Sequence, residues 1–151
     1  MTTLEKGAEA PYFEGVDENG KTIKLTDYKG KKLILFFYPK DNTPTCTVEV
    51  CNLRDNYSLL QNKGYELLGV SGDSEKKHQN FIKKHNLPFP LLADTEKIVI
   101  NEYGVFGEKK MFGKIKEGIF RTTFVIDENG LVEQIFNKVK SKDHAAQILE
   151  A

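Results

Sequence analysis

Six apolar residues in a row, Leu33 to Tyr38, stand out in a chain whose other apolar positions mostly alternate or recur every three to four residues. An unbroken aliphatic and aromatic run suits a strand covered on both faces, at the centre of an α/β sheet. Pro39 closes it, because proline cannot donate to the ladder and biases Tyr38 away from helix. Pro44 then fits the first turn of a helix, where its missing N–H costs nothing. That helix opens close to Cys46, places Val48, Leu53, Tyr57 and Leu60 at mostly three-to-four spacing, and stops at Gly64. Tyr65 to Ser71 reads as a second buried strand. A helix of crossover length separates the two strands, so they pair most easily in parallel.

The flanking segments complete the order. Tyr12 to Val16 and Lys21 to Leu25 surround Asp17-Glu18-Asn19-Gly20, the signal of an N-terminal β-hairpin. Ser74 can cap a helix to about His85 with Phe81 and Ile82 inward, and Leu91 to Ala93 is a short strand. Asp94 caps a helix over Thr95 to Tyr103 that Gly104 ends. Phe106 to Gly118 has little periodicity and reads as loop. Phe120 to Ile126 and Leu131 to Phe136 flank Asp127-Glu128-Asn129-Gly130 as a second hairpin, and Ser141 can cap a last helix to Leu149. A βαβ unit, an antiparallel hairpin and a closing helix make an α/β fold on the plan of a thioredoxin-like mixed central sheet flanked by helices, with an N-terminal β-hairpin extension. Periodicity alone supports α/β and does not single out thioredoxin.

Composition narrows the function classes. At 151 residues the chain suits a single domain over residues 1–151. With 22 basic and 22 acidic residues, nothing suggests a polyanionic partner. Lys109, Lys110, Lys114 and Lys116 read as a solvated loop rather than a nucleic-acid surface, since no interleaved aromatics accompany them. The first residues lack the apolar core of a signal peptide, and no stretch approaches the roughly 18 apolar residues of a membrane span. The expectation is a cytoplasmic protein. Two cysteines in a reducing compartment argue for redox or metal chemistry over a disulfide framework. His78, His85 and His144 show no ligand spacing and read as surface residues, so no metal is expected.

Cys46 is the centre of interest. It falls at a helix N-terminus beyond the carboxyl end of a central strand, where open α/β sheets keep their ligands. Unpaired N–H groups and the helix dipole stabilise an anion there, so Cys46 is expected to favour thiolate. The alternative is a small buried hydrophobe, which most free cysteines are.

Pro39-Lys40-Asp41-Asn42-Thr43-Pro44-Thr45-Cys46 resembles the P-x-x-x-T-x-x-C signature of peroxiredoxins. With Cys51 five positions on and Arg54-Asp55 beyond it, the chain is similar to the bacterioferritin-comigratory, or Q-type, subfamily. Gly118 to Asp127 resembles the family's arginine-bearing strand, and the likeness spans essentially the whole chain. Thr45 stands where many relatives have glycine, and Met111-Phe112 replaces a common aromatic pair. The Gly-Gly-Leu-Gly and C-terminal Tyr-Phe elements of peroxide-sensitive relatives are missing.

The resemblance implies a thiol peroxidase without bound cofactor. Cys46 would attack hydrogen peroxide or an organic hydroperoxide and become a sulfenic acid. Cys51 would resolve it as an intramolecular disulfide, which thioredoxin or a similar dithiol protein would reduce. An inert buried thiol is the other reading of Cys51. Thr43 would face sulfur and peroxide, or merely cap the helix. Arg121 would polarise the substrate, or snorkel from a strand end. Pro39 would shield the sulfur, though strand termination already explains it, and Pro44 is a helix starter first. Glu49 would hold the arginine, or be a solvated helix carboxylate. A monomer, at most a weak dimer, is expected. Five residues of helix amount to about 7.5 Å of rise and put the thiols on different faces, so an intact helix cannot hold a Cys46–Cys51 bond. The competing functions are general thiol–disulfide exchange, against which the absence of C-x-x-C argues, and a redox-sensing interaction protein.

Overall fold

The apolar run becomes the middle strand of a five-stranded sheet. The computed structural model describes residues 1–151, the side chain of Met111 excepted. In chain order come β1 (Glu14–Val16), β2 (Thr22–Lys24), β3 (Lys32–Phe37), α1 (Pro44–Asp55), α2 (Tyr57–Asn62), β4 (Tyr65–Ser71), α3 (Glu75–His85) and β5 (Leu91–Ala93). After them follow α4 (Ile98–Glu102), β6 (Phe106–Met111), β7 (Lys114–Ile119), β8 (Thr122–Ile126), β9 (Val132–Phe136) and α5 (His144–Leu149). The main sheet has the order β5-β4-β3-β8-β9. β3 pairs in parallel with β4 and antiparallel with β8, so the sheet is mixed, as expected.

Both faces of β3 are covered. Leu33, Leu35 and Phe37 pack with Phe13, Val99, Tyr103 and Phe124. Ile34, Phe36 and Tyr38 pack with Cys46, Val50, Leu53, Phe81 and Val125. The continuous run therefore serves two cores at once, and its carboxyl end delivers the chain to the start of α1. Gly69 on β4 lies opposite Phe36 in register, and a Cβ there would come within 2.7 Å of the Phe36 ring and Leu91. Its lack of a side chain lets the Phe36 ring lie across the strand.

Several boundaries differ from the expectations. The helix after Cys46 is two helices, because Asn56 leaves the helical region (φ −110°, ψ 12°) and its Nδ2 donates to the Asn52 carbonyl at 2.8 Å. Val48 is exposed rather than inward, leaving Val50 and Leu53 to pack. Asp94 does cap α4, accepting from the N–H of Ile98 and Ile100, but Lys97 in the left-handed region delays the start to Ile98. Ser141 does not cap the last helix; it opens a 3₁₀ turn, Ser141–Asp143, ahead of α5. The segment read as loop is an antiparallel ribbon, β6–β7, turning at Phe112 and Gly113, both with positive φ. Phe112 is exposed at that tip, and the Met111 half of the aromatic-pair departure lies outside the described residues.

Candidate active site

The first turn of α1 explains the setting of Cys46. Thr43 is the N-cap residue in extended conformation (φ −84°, ψ 153°), and Pro44 occupies the first turn. The first backbone N–H to reach a helical acceptor is that of Thr47, donating to the Thr43 carbonyl at 2.9 Å. The N–H groups of Thr45 and Cys46 are therefore left without a helical acceptor, as the first turn of any α-helix requires. Cys46 is 1% exposed and sits at the positive end of a twelve-residue helix.

Arg121 meets the sulfur from the sheet. It precedes β8, and its Nη2 donates to Cys46 Sγ at 3.1 Å while its Nη1 donates to Glu49 Oε1 at 2.5 Å. One planar fork thus spans two groups on the same face of α1, three residues apart. Burial pulls the guanidinium pKa down, but the charges of Glu49 and Cys46 and the hydrogen bonds to them outweigh it, and the net shift is upward.

Glu49 is fully buried. Desolvation raises its pKa to about 7 in spite of Arg121, which pulls the other way. Only Oε1 is paired; Oε2 has no hydrogen-bond partner and lies 4.0 Å from His144 Nε2. His144 Nδ1 lies 2.9 Å from Gln147 Oε1 and its Nε2 2.8 Å from the Thr123 hydroxyl. Burial lowers its pKa to about 4, so the ring is neutral, with Nδ1 donating to the Gln147 oxygen and Nε2 accepting from the Thr123 hydroxyl. The carboxylate is thus no solvated helix group: it is the counter-charge of the arginine beside the thiol.

The remaining expected residues fall around this centre. The Thr43 hydroxyl donates to the Lys40 carbonyl at 2.9 Å and accepts from no backbone N–H, so the side-chain cap of the alternative reading is absent. Its oxygen keeps lone pairs free to accept from an approaching O–H. Pro39 is half-buried just past Tyr38, and Pro44 is exposed. Cys51 lies further along α1, half-buried, and both cysteines are free thiols in an intact helix. Arg54 bonds Asp55 and the His85 carbonyl rather than the site.

The histidines correct the surface reading. His78 and His144 are fully buried and His85 is half-buried. His78 Nδ1 lies 2.7 Å from Asp41 Oδ2, its Nε2 lies 3.0 Å from the Leu92 carbonyl, and the Tyr38 hydroxyl donates to Asp41 Oδ1 at 2.6 Å. The Asp41 N–H in turn donates to Asp73 at 2.8 Å, which ties the loop before Thr43 to the end of β4 and to α3. Asp41, Asp73 and His78 converge closely enough to hold an ion, yet these bonds already use the facing atoms. A signal for the inward histidines does exist: His78, Phe81, Ile82 and His85 form an i, i+3, i+4, i+7 stripe.

Two opposed pH effects follow. Glu49 binds its proton more tightly folded than unfolded, so between its ordinary 4.5 and about 7 stability falls as pH rises, and the loss is complete above about 7. His144 binds its proton less tightly folded, so stability falls as pH drops from 6.5 toward about 4. Glu49→Gln should remove only the first effect. The difference in unfolding free energy between parent and variant, from urea titrations at pH 4 to 8, should then move against the parent with rising pH by on the order of 3 kcal/mol. A pH-independent difference would mean that the carboxyl does not titrate in this range.

A buried thiol in the first turn of a helix, hydrogen-bonded to a guanidinium beyond the central strand of a mixed sheet, places the molecule among thiol-based redox enzymes of thioredoxin-like fold. The AhpC/TSA family matches residues 6–135. The chain is 47% identical to the peroxiredoxin Bcp of Bacillus subtilis over 148 residues, 98% of this chain and 94% of that one. It is 40% identical to the peroxiredoxin Bcp of Escherichia coli K12 over 149 residues, 99% of this chain and 96% of that one. A PrxQ variant structure from Xylella fastidiosa superposes with a TM-score of 0.91 at 30% identity, covering 99% of this chain and 96% of that one. Peroxiredoxin Q of Xanthomonas campestris gives 0.87 at 35%, covering 99% and 94%. The chain belongs to the AhpC/TSA family, in its Bcp or Q-type branch of peroxiredoxins. It is accordingly a thiol peroxidase that reduces peroxides.

Proposed function

We propose that Cys46 is the peroxidatic cysteine, that Cys51 resolves it within the same chain, and that Thr43, Arg121 and Pro39 form the peroxide pocket. The observation that carries this reading is the 3.1 Å hydrogen bond from Arg121 to Cys46 Sγ. The thiolate attacks the distal peroxide oxygen; the O–O bond breaks, water or alcohol leaves with a proton, and Cys46 becomes a sulfenic acid. Negative charge develops on the peroxide as the bond stretches. Arg121 and the free N–H groups of the first turn are the donors that stabilise it. Pro39, half-buried past the end of β3, shields the sulfur from water, and Pro44 starts the helix that carries it. Glu49 fixes the guanidinium in its fork.

The Cys51 thiol then attacks the Cys46 sulfur, the S–O bond breaks, and water is lost. Both cysteines lie within α1, so the first turns of that helix open before the bond forms. Thioredoxin itself reduces the disulfide. The relative from Xanthomonas campestris is described as having alkyl peroxide reduction activity, which supports organic hydroperoxides as substrates beside hydrogen peroxide. The protein works as a cytoplasmic monomer of one domain. Among the described residues no helix is long and apolar enough to cross a membrane.

Hydrogen exchange tests the switch. After one equivalent of peroxide, mass spectrometry should find a Cys46–Cys51 disulfide within one chain, and residues 46–52 should lose protection. Cys51→Ser should abolish the disulfide, leave the first oxidation fast, and let Cys46 overoxidise. Unchanged protection across 46–52, or a disulfide joining two chains, would reject Cys51 as the intramolecular partner.

A further inference from the structure

Cys51 has a partner that the peroxide pocket does not use. Its Sγ lies 3.8 Å from His85 Nδ1, a ring at the last residue of α3. The ring makes a T-shaped contact with Phe81, at 5.3 Å between centroids and 85° between planes. The backbone carbonyl of His85 accepts from Arg54 Nη1 at 2.8 Å, which joins the end of α3 to α1 one turn beyond Cys51. The far ring nitrogen, Nε2, is buried with no hydrogen-bond partner. A ring satisfied at neither end except by a thiol is directed at that thiol.

We propose that His85 is the general base of the resolving step, taking the Cys51 proton so that the sulfur attacks Cys46 as thiolate. The proposal rests on the reading of Cys51 as resolving cysteine. The Cys51 S–H proton passes to Nδ1, and the sulfur electron pair forms the S–S bond. The S–O bond of the Cys46 sulfenic acid breaks, and the departing hydroxide takes up a proton to leave as water. The ring then returns to neutral. The oxidising equivalents come entirely from the peroxide already consumed, so no further oxidant enters.

The surroundings suit the task. The titratable and charged groups around the ring are Cys51 and Arg54 from α1 and Lys84 from its own helix. Burial first, then the charges of Lys84 and Arg54, lowers the His85 pKa, so the ring is unprotonated at neutral pH and has a lone pair to offer. Arg54 is itself in the field of Cys51, and its charge stabilises the thiolate once formed. Proton transfer takes place while α1 is intact, before the helix opens and carries Cys51 away from α3.

Quench-flow on the full chain, with alkylation and mass spectrometry of each state, resolves the two chemical steps. In His85→Gln and His85→Phe, sulfenic acid formation on Cys46 reports that the fold is intact. His85→Phe also keeps an aromatic ring against Phe81. Disulfide formation should slow by roughly 10- to 100-fold at pH 7 in both. The deficit should close as pH rises, because hydroxide then takes the thiol proton without help from the ring. Added imidazole should restore part of the rate in His85→Gln. Parent-like rates with a parent-like pH profile would overturn the proposal, as would an equal slowing at every pH, the mark of a merely structural contact. Failure of the parent itself to form a Cys46–Cys51 disulfide would instead overturn the assignment of Cys51, and the base with it.

Discussion

Arg121→Ala should slow the oxidation of Cys46 by hydrogen peroxide by about 10²- to 10³-fold, the usual consequence of removing a donor aimed at developing negative charge. The guanidinium is the one side chain that donates to Cys46 Sγ among the described residues, and it reaches the sulfur from the start of β8. Arg121→Lys should recover little, because one ammonium cannot bridge Sγ and Glu49 Oε1 as a planar fork does. The substitution has a second effect. Without the arginine, Glu49 is a buried carboxylate lacking its cation, and its pKa rises further, so the variant folds with the acid protonated. Glu49→Gln leaves the Sγ contact but loosens the fork, and should slow the reaction less. The double variant should fall well short of the product of the two single effects, since both act through one hydrogen-bonded unit. Stopped-flow competition for peroxide against a reporter enzyme gives all four rates. Parent-like rates for Arg121→Ala and Arg121→Lys would place the peroxide pocket elsewhere.

What could be read from the chain depended on whether the physical cause was local. Leu33 to Tyr38 was legible because a strand with two apolar faces leaves no polar position to interrupt the run. Ser74 was legible as a cap, and its hydroxyl does accept from the Lys77 N–H at 3.3 Å. The β6–β7 ribbon was not, because most of its strand positions are exposed and neither face imposes alternation. Asn56 gave no warning that it would break the helix. The arginine illustrates the longest reach. Arg121 and Cys46 are 75 residues apart, and only the family resemblance joined them in advance. Glu49 carried no sign of burial beyond its place on the Cys46 face of the helix, and its second oxygen has no partner that any pattern encodes. The histidines show the same limit, since the stripe on α3 announces that His78 and His85 point inward but not what they meet. Asp41 and Cys51 come from other elements, 37 and 34 residues away.

Breaking the buried pair of Asp41 and His78 should cost this fold more stability than breaking any exposed polar contact. Both side chains are almost wholly removed from water, at 2% and 0% exposure, and their hydrogen bonds leave no facing atom unpaired. A pair of this kind is weak as a net source of stability but costly to break, because the survivor keeps its desolvation without its partner. His78→Leu should therefore lower the unfolding free energy by about 3–5 kcal/mol. Asp41→Asn keeps an oxygen for the Tyr38 hydroxyl and should cost less. Combining the two should cost less than their sum, because the leucine no longer leaves a bare carboxylate behind. The consequence reaches the active site, since Asp41 belongs to the loop that sets Thr43 and Pro44 at the head of α1. Tyr38 cannot take over as the anchor: burial, then the Asp41 charge, raises its pKa well above the usual phenol value, so it remains a donor in need of an acceptor. Urea titrations of the parent, the two single variants and the double variant at pH 7 measure the coupling. A loss under about 1 kcal/mol for His78→Leu, within the range of an exposed ion pair, would show that the network does not hold the loop.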